Sequence, residues 1–266
     1  MTEQLTISST KNPRIKQLLE LQQKSAERRK TGLFVAEGRR EIEHCLEAGY
    51  ELKELYRLTT ESTPLATTGG GATEIFSVTP AVYERIAYRG STEGVVAVVK
   101  AKEHRLDDLQ LSEHPLIVVL ESVEKPGNLG AVLRSADAAK ADAVIVCDPL
   151  TDLYNPNLIR SSIGAIFTVP TVACSSEECI SFFKQHGIQI LTAQLQDSRL
   201  YYDTPMTAGT AIVMGTESTG LTQQWCEAAD AHIRIPMLGR LDSLNVSVSA
   251  AILLFEAVRQ RESQRN

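Results

Sequence analysis

Apolar residues change their spacing along the chain, and the change divides it into two segments. In the first, Ile15, Leu18, Leu19 and Leu21 recur at helical spacing behind Asn12-Pro13, which reads as an N-cap followed by proline at the first helical position. Arg14, Lys16, Lys24, Arg28, Arg29 and Lys30 occupy the rest of this helix and its end. Residues 32–36 predict a strand, 39–48 a helix ended by Gly49, and 52–58 another strand. A glycine-rich turn at 67–71, a short helix at 80–87 and an apolar run at 95–99 complete a small mixed α/β domain over residues 1–100. Residues 101–114 are polar and charged and read as a linker. Over residues 115–266 the grammar becomes strand-helix alternation, with apolar runs at 116–120, 144–147, 165–169, 188–192, 211–214 and 233–235. Such alternation predicts a mostly parallel sheet with helices on both faces. The last helix, at 244–259, is apolar on nearly every side and is expected to be buried, with Arg259 and Arg261 complementing its dipole. No internal repeat is present.

Composition narrows the classes. Of 266 residues, 43% are hydrophobic, enough for a substantial core. No stretch approaches a membrane span, and the N-terminus lacks the basic lead and apolar run of a signal peptide. Five scattered cysteines without a CxxC pair fit free thiols in a reducing cytoplasm and argue against a zinc site. The net charge of −6 disfavours a nucleic-acid partner, but its distribution does not. Residues 1–40 hold nine Lys or Arg against four Asp or Glu, a balance of +5 that leaves −11 for the remainder. Phosphate recognition follows the local potential, although a solvated helix face accounts for the same charges.

Three stretches in the second segment are richer in Gly, Asn, Ser and Arg than packing requires. The first, Pro126-Gly127-Asn128-Leu129-Gly130 through Arg134, follows a strand and opens a helix, where free N–H groups favour anions. Asn128 as a plain cap and Arg134 as a plain surface residue remain open. The second, Met214-Gly215-Thr216-Glu217-Ser218-Thr219-Gly220-Leu221, sets a polar turn between glycines, as where backbone approaches a ligand or merely turns into a helix. The third, Ile235-Pro236-Met237-Leu238-Gly239, precedes Ser243-Leu244-Asn245-Val246-Ser247. Ser243 can cap the last helix, whereas Asn245, entering an apolar helix, must find partners. All three fall at the same ends of parallel strands, where open α/β sheets bind ligands. There is no GxGxxG, Walker A, GxSxG or paired metal-binding histidine.

Together these stretches resemble the three motifs of the SpoU (TrmH) family in the SPOUT superfamily of RNA methyltransferases. Asn128, Gly130 and Arg134 match the first, and Gly215, Glu217, Gly220 and Leu221 the second. Residues 235–237 and 243–247 match the third in full, and the order and spacing agree over 116–261. Residues 8–100, with Phe34-Val35-Ala36-Glu37-Gly38-Arg39 the most recognisable piece, resemble the small RNA-binding domain that often precedes this catalytic domain. Lys140, where the family commonly has glycine, and Ser218-Thr219 in the second motif depart from the pattern.

The resemblance implies a SPOUT-type sheet whose C-terminal part threads a deep trefoil knot, an exception to the rule against knotted chains. It implies S-adenosylmethionine as cofactor, held by Thr192, Ala193, Gly215, Ile235, Met237, Leu244 and Asn245. Arg134 becomes the central catalytic residue, with Asn128, Glu217, Ser243 and Asn245 positioning it or the substrate. Arg28, Arg29 and Arg39 become candidate RNA contacts. The implied reaction is methylation of a ribose 2′-hydroxyl of RNA, ribosomal RNA for preference, by a cytoplasmic homodimer that needs no metal. A transfer-RNA methyltransferase and a non-catalytic RNA-binding protein of the same fold are the alternatives. A Rossmann-type small-molecule methyltransferase is disfavoured by the missing glycine-rich turn after the first strand of the second segment.

Overall fold

The computed structural model describes residues 5–61, 73–87, 93–216 and 219–264. The chain begins with β1 (Leu5–Ile7), α1 (Pro13–Gln23), α2 (Ser25–Thr31), β2 (Leu33–Glu37), α3 (Arg39–Glu47), β3 (Leu52–Leu58), β4 (Glu74–Val78), α4 (Pro80–Ile86) and β5 (Val95–Lys100). Next come β6 (Leu116–Glu121), α5 (Pro126–Ala138), β7 (Ala143–Cys147), α6 (Pro156–Ser162), α7 (Ala165–Thr168), β8 (Thr171–Cys174) and α8 (Ser176–His186). It ends with β9 (Gln189–Ala193), β10 (Arg199–Leu200), β11 (Thr210–Met214), α9 (Gln223–Ala228), β12 (Ala231–Arg234) and α10 (Val246–Ser263). Contacts divide the chain into two units, residues 1–103 with 152–168, and residues 104–151 with 169–266.

In the first unit, the Asn12 side chain accepts from Arg14 N at 2.9 Å and Pro13 opens α1, as the Asn-Pro pair predicts. The apolar stripe of α1 buries Ile15, Leu18 and Leu21 against Ile7, Tyr56, Phe76 and Val98. The single basic helix expected there is two, because Lys24 is extended between α1 and α2. The sheet order is β1-β4-β3-β5-β2; β5 runs antiparallel to both its neighbours and the remaining pairs are parallel. β1 and β4 escaped the sequence pattern, and the glycine-rich turn at 67–71 lies outside the described residues.

Residues 152–168 pack within this unit. Tyr154 stacks on Phe34 with ring centroids 4.4 Å apart and donates from its hydroxyl to Lys102 O at 2.7 Å. Phe167 lies 5.8 Å from Phe34, and burial pushes the neighbouring Tyr50 phenol well above its ordinary pKa. The apolar run at 165–169, expected as a strand, is α7. Ile163 and Gly164 both adopt positive φ and turn the chain, after which Ala165, Ile166 and Phe167 are buried in a helical turn. Short apolar runs do not distinguish helix from strand. The edge strand β8 follows three residues later.

The second unit carries seven strands in the order β10-β12-β9-β11-β6-β7-β8, every described pair parallel. β6, β7 and β11 are buried along their whole length, the near-continuous hydrophobicity of a sheet covered on both faces. Ile117, Val119, Ile145, Phe183, Val213 and Trp225 form the centre of one core, and Leu106, Leu109 and Leu111 from the polar 101–114 stretch pack against it. The chain builds outward from β6 through β7 to β8, then returns to insert β11 between β9 and β6. The order therefore reverses beside β6, where the carboxyl ends of strands leave a crevice.

Two expectations for the last helix are corrected. α10 starts at Val246, not at 244, and its cap is Asn245, not Ser243. It buries Val246, Ala250, Leu253, Leu254 and Ala257 but leaves Val248 and Phe255 each 47% exposed, so one apolar face is open. Arg261 does more than meet the helix dipole, donating to the carbonyls of Met206 and Pro115 at 3.0 and 3.1 Å. Lys140, in the usual glycine position after α5, adopts φ 51°, the strained left-handed conformation glycine would take freely.

Candidate active site

The carboxyl ends of β9, β11 and β12 open onto one cavity of about 410 Å³, within the range of small-molecule sites, roughly 300–1,000 Å³. β9 contributes Ala193 and the following Gln194, β11 contributes Met214 with Gly215, and β12 contributes Ile233 and Arg234. Ile235, Met237, Ser243 and Leu244 close it from the segment leading into α10. Six predicted residues thus share one wall. Thr192 does not: it is fully buried in β9, with its hydroxyl 2.6 Å from His232 Nδ1. Side chains alternate along a strand, so the position next to Ala193 faces away from the opening.

Gly215 has a specific reason to be glycine. Thr216 N donates to Gly220 O at 3.3 Å and Gly220 N to Thr216 O at 3.1 Å, folding the second motif back on itself. A Cβ on Gly215 would meet Gly220 O at 2.2 Å, a clash only backbone movement relieves. The turn itself therefore requires glycine at 215, and both Gly215 and Gly220 line the cavity. Glu217 and Ser218 lie outside the described residues.

The first and third motifs meet directly. Asn245 Oδ1 caps α10 by accepting from Ser247 N at 2.9 Å, and its Nδ2 donates to Asn128 Oδ1 at 3.1 Å. This answers the partner question raised by Asn245. It also removes the plain-cap alternative for Asn128, since α5 begins at Pro126 with Lys125 at the cap and no side-chain cap bond. Asn128, Val123, Lys125, Gly215, Thr216 and Val246 line a second recess of about 210 Å³, which shares the Gly215 backbone with the first. Arg134 lies six residues, about 9 Å along the axis, beyond Asn128 on α5. It is exposed and has no hydrogen-bond or ion-pair partner among the described residues.

Sequence reasoning passed over Glu121. This carboxylate ends β6 at 2% exposure and accepts from Thr222 N at 2.8 Å and Thr222 Oγ1 at 2.6 Å. Ser176 Oγ lies 3.4 Å away and itself accepts from Trp225 Nε1 at 2.9 Å. A buried carboxylate survives only with such partners. Here they anchor the exit of the 215–221 turn to the strand beside it. An acidic residue closing an otherwise apolar strand was the available signal.

The proposed RNA contacts sit in the first unit, and they differ. Arg28 is 5% exposed, pairs with Asp152 and donates to Leu21 O, so its guanidinium is spent inside the fold. That corrects its assignment to an RNA-facing surface. Arg29, on the same helix, is exposed. Arg39 is half-buried and pairs with Glu61 at 3.3 Å.

Comparison with known proteins finds two matching stretches, and the later of them in the chain spans residues 152–168, which pack in the first unit. Residues 115–255 match the model of the SpoU rRNA methylase family, and residues 12–97 match the MRM3-like substrate binding domain. The 23S rRNA (guanosine(2553)-2′-O)-methyltransferase RlmP of Bacillus subtilis is 28% identical over 94% of this chain and 97% of its own. The 23S rRNA (uridine(2479)-2′-O)-methyltransferase of Streptomyces viridochromogenes is 30% identical over 97% and 93%. Among solved structures, the AdoMet-bound rRNA methyltransferase of Sinorhizobium meliloti superposes with a TM-score of 0.88 at 30% identity, covering 96% of this chain and 97% of that one. With the family model spanning more than half of the chain and full-length relatives reaching 30% identity, the chain belongs to the SpoU rRNA methylase family.

Proposed function

We propose that this protein methylates a ribose 2′-hydroxyl of ribosomal RNA, using S-adenosylmethionine. The observation that carries the reading is the cavity at the strand ends, where the second and third motifs meet around the bare backbone of Gly215. The cavity suits the cofactor in size and chemistry. Met214, Ile233 and Leu244 offer apolar surface, while the backbone near Gly215 and Ile235 offers hydrogen-bonding edges to an adenosine. When bound, the cofactor supplies an electrophilic methyl group on a sulfonium.

The remaining work falls to this chain. The smaller recess beside Asn128 and Gly215 would receive the ribose and hold its hydroxyl toward the cofactor cavity, since transfer depends on close, aligned approach. Arg134 holds a phosphate next to that ribose and stabilises charge developing on the oxygen. Guanidinium stays protonated in almost any protein site, so Arg134 is not the base and the hydroxyl proton passes to solvent water. The Asn128–Asn245 bond locks α5 to the start of α10 and fixes the recess. Glu217 and Ser243 complete the substrate side by similarity to the family, and Arg29 and Arg39 of the first unit hold RNA.

Ribosomal RNA is favoured over transfer RNA because relatives matching both units carry 23S rRNA activities in their names. A deep knot after β11 belongs to the same reading, supported by the insertion of β11 between β9 and β6 and by Leu244 facing the cavity beside Gly215. So does a homodimer, for which the open face of α10 with Val248 and Phe255 is a ready surface. Among the described residues no helix is long and apolar enough to cross a membrane. A cytoplasmic setting fits the ribosomal substrate.

The test is transfer of labelled methyl groups to bulk RNA lacking its native modifications. Label in ribosomal RNA, resistant to alkali at one dinucleotide, is expected. Arg134→Ala is expected to lower turnover by about 10²–10³-fold while leaving cofactor affinity unchanged. Label confined to transfer RNA would replace the substrate, and an unimpaired Arg134→Ala would remove that residue from the mechanism.

A further inference from the structure

Three of the five cysteines, Cys147 and the closely spaced Cys174 and Cys179, converge in the second unit and do not line the cavity. Cys147 ends β7, Cys174 ends β8, and Cys179 lies in the first turns of α8. Their sulfur atoms all lie within 4.8 Å of one another. We propose that Cys147, Cys174 and Cys179 form a three-thiolate site for a soft, thiophilic cation, Zn(II) or Cu(I).

The geometry supports a ligand set over a chance gathering of small apolar side chains. Cys147 and Cys174 are registered partners on adjacent parallel strands, so their side chains leave the same face side by side. The ladder is held beyond the strand ends, where Asp148 N donates to Cys174 O at 2.9 Å and Ser122 N to Cys147 O at 2.9 Å. Cys179 is brought opposite by a capping box that fixes the start of α8: Ser175 Oγ accepts from Glu178 N at 3.2 Å, and Ser175 N donates to the Glu178 carboxylate at 2.8 Å. The three ligands are thus placed by two strands and a capped helix. With a metal–sulfur bond of about 2.3 Å, sulfurs around one ion stand about 3.8 Å apart, so small rotations close the site.

The chemistry selects the ion. Thiolates favour soft cations over magnesium or calcium. Among the described residues no fourth His, Cys, Asp or Glu atom joins the three sulfurs. That leaves either a three-coordinate ion, as suits Cu(I), or Zn(II) with water in the fourth position. Cys147 and Cys179 are fully buried while Cys174 is partly exposed, giving the ion an entry path and a place for that water. Each thiol gives its proton to solvent on binding, so no oxidant or reductant is required. The N-terminus of α8 lies beside the site and favours the negative charge the thiolates retain.

Such an ion has a structural consequence. Ser176, between Cys174 and Cys179 in the chain, accepts from Trp225 and approaches Glu121, the carboxylate that anchors Thr222. Tying β7, β8 and α8 together would stiffen the base of this network.

The experiment uses the full chain, reduced and treated with chelator. Zn(II), and under anaerobic conditions Cu(I), is titrated in competition with a chromophoric chelator, and the thermal transition is followed with and without ion. One ion per chain and a higher transition temperature are expected, as for any ligand binding only the folded state. Cys174→Ser is expected to abolish binding, and Cys226→Ser, outside the cluster, to leave it unchanged. Should Cys174→Ser fold poorly, alkylation of Cys174 in the unaltered protein decides the matter, since bound ion must slow it. Absence of binding by reduced protein, binding that survives in Cys174→Ser, or alkylation indifferent to the ion would each overturn the proposal. So would a Cys147–Cys174 disulfide in protein kept under reducing conditions.

Discussion

In the first unit Arg14 pairs with Glu54 and Glu74, Arg28 with Asp152, Arg39 with Glu61 and Arg160 with Glu37; in the second, Arg134 stands exposed with no partner among the described residues. The first unit is the one whose sequence looked basic, and much of that charge is engaged inside its own fold. The second unit belongs to the acidic remainder of the chain, yet its Arg134 is exposed and unmatched among the described residues. Counting charges locates neither function. What separates Arg28 from Arg134 is whether the guanidinium has already been matched by a carboxylate or a carbonyl, and a one-dimensional charge balance does not report that.

The comparison breaks most severely at the Gly215 turn. Gly215→Ala places a Cβ 2.2 Å from Gly220 O, so the turn must shift by an ångström or more. Misplacement on that scale costs about 10²-fold in a site that works by positioning. Cofactor affinity measured by calorimetry should fall by about that factor, with the melting of the first unit unchanged. If Gly215→Ala binds S-adenosylmethionine normally, the cavity is not the cofactor site and the division of labour drawn here fails.

Arg28→Ala sharpens the contrast from the other side. The Arg28–Asp152 pair is nearly excluded from solvent, with side chains 5% and 12% exposed. Removing one member strands the other carboxylate and the Leu21 carbonyl, which costs about 3 kcal/mol for a buried pair. Urea unfolding should register this loss, while RNA affinity at temperatures where the variant stays folded should match the parent. Weaker RNA binding without loss of stability would return Arg28 to the RNA surface.

How much of this was visible beforehand depends on the range of the interaction. The Asn12-Pro13 start of α1 and the apolar strands β6, β7, β9, β11 and β12 are local signals, and each appears in the structure where expected. Arg28 is misread because its partner is distant, whereas the break at Lys24 and the start of α10 are local boundary errors. Arg28 meets Asp152 across 124 positions, and Asn128 meets Asn245 across 117. For Arg28 the surface charge was the natural local reading, and for Asn128 the helix cap was the open alternative to the positioning role. The run at 165–169 follows from tertiary context, since Phe167 is drawn into an aromatic cluster with Phe34 and Tyr50. Glu121 carried only the weak signal of an acid closing an apolar strand, and the three converging cysteines carried no motif at all. Their meaning exists only once β6, β7, β8 and α8 are side by side.

The smallest effect is also the most discriminating for the first unit. Arg29 differs from Arg28 by one residue, about 100° around α2, and that rotation carries it from the interior to solvent. Arg29→Ala should leave stability within about 0.5 kcal/mol, as for most surface substitutions. If it contacts a phosphate, RNA affinity falls severalfold at low salt. The dependence of log K on log salt then becomes shallower by about 0.7 for a single strand and about 0.9 for a duplex, since one fewer counterion is released. Parallel salt plots for Arg29→Ala and the parent would mean that this helix face is merely solvated. The paired measurement on Arg28 and Arg29 thus asks of two adjacent identical side chains what charge counting cannot, which of them is still free to bind.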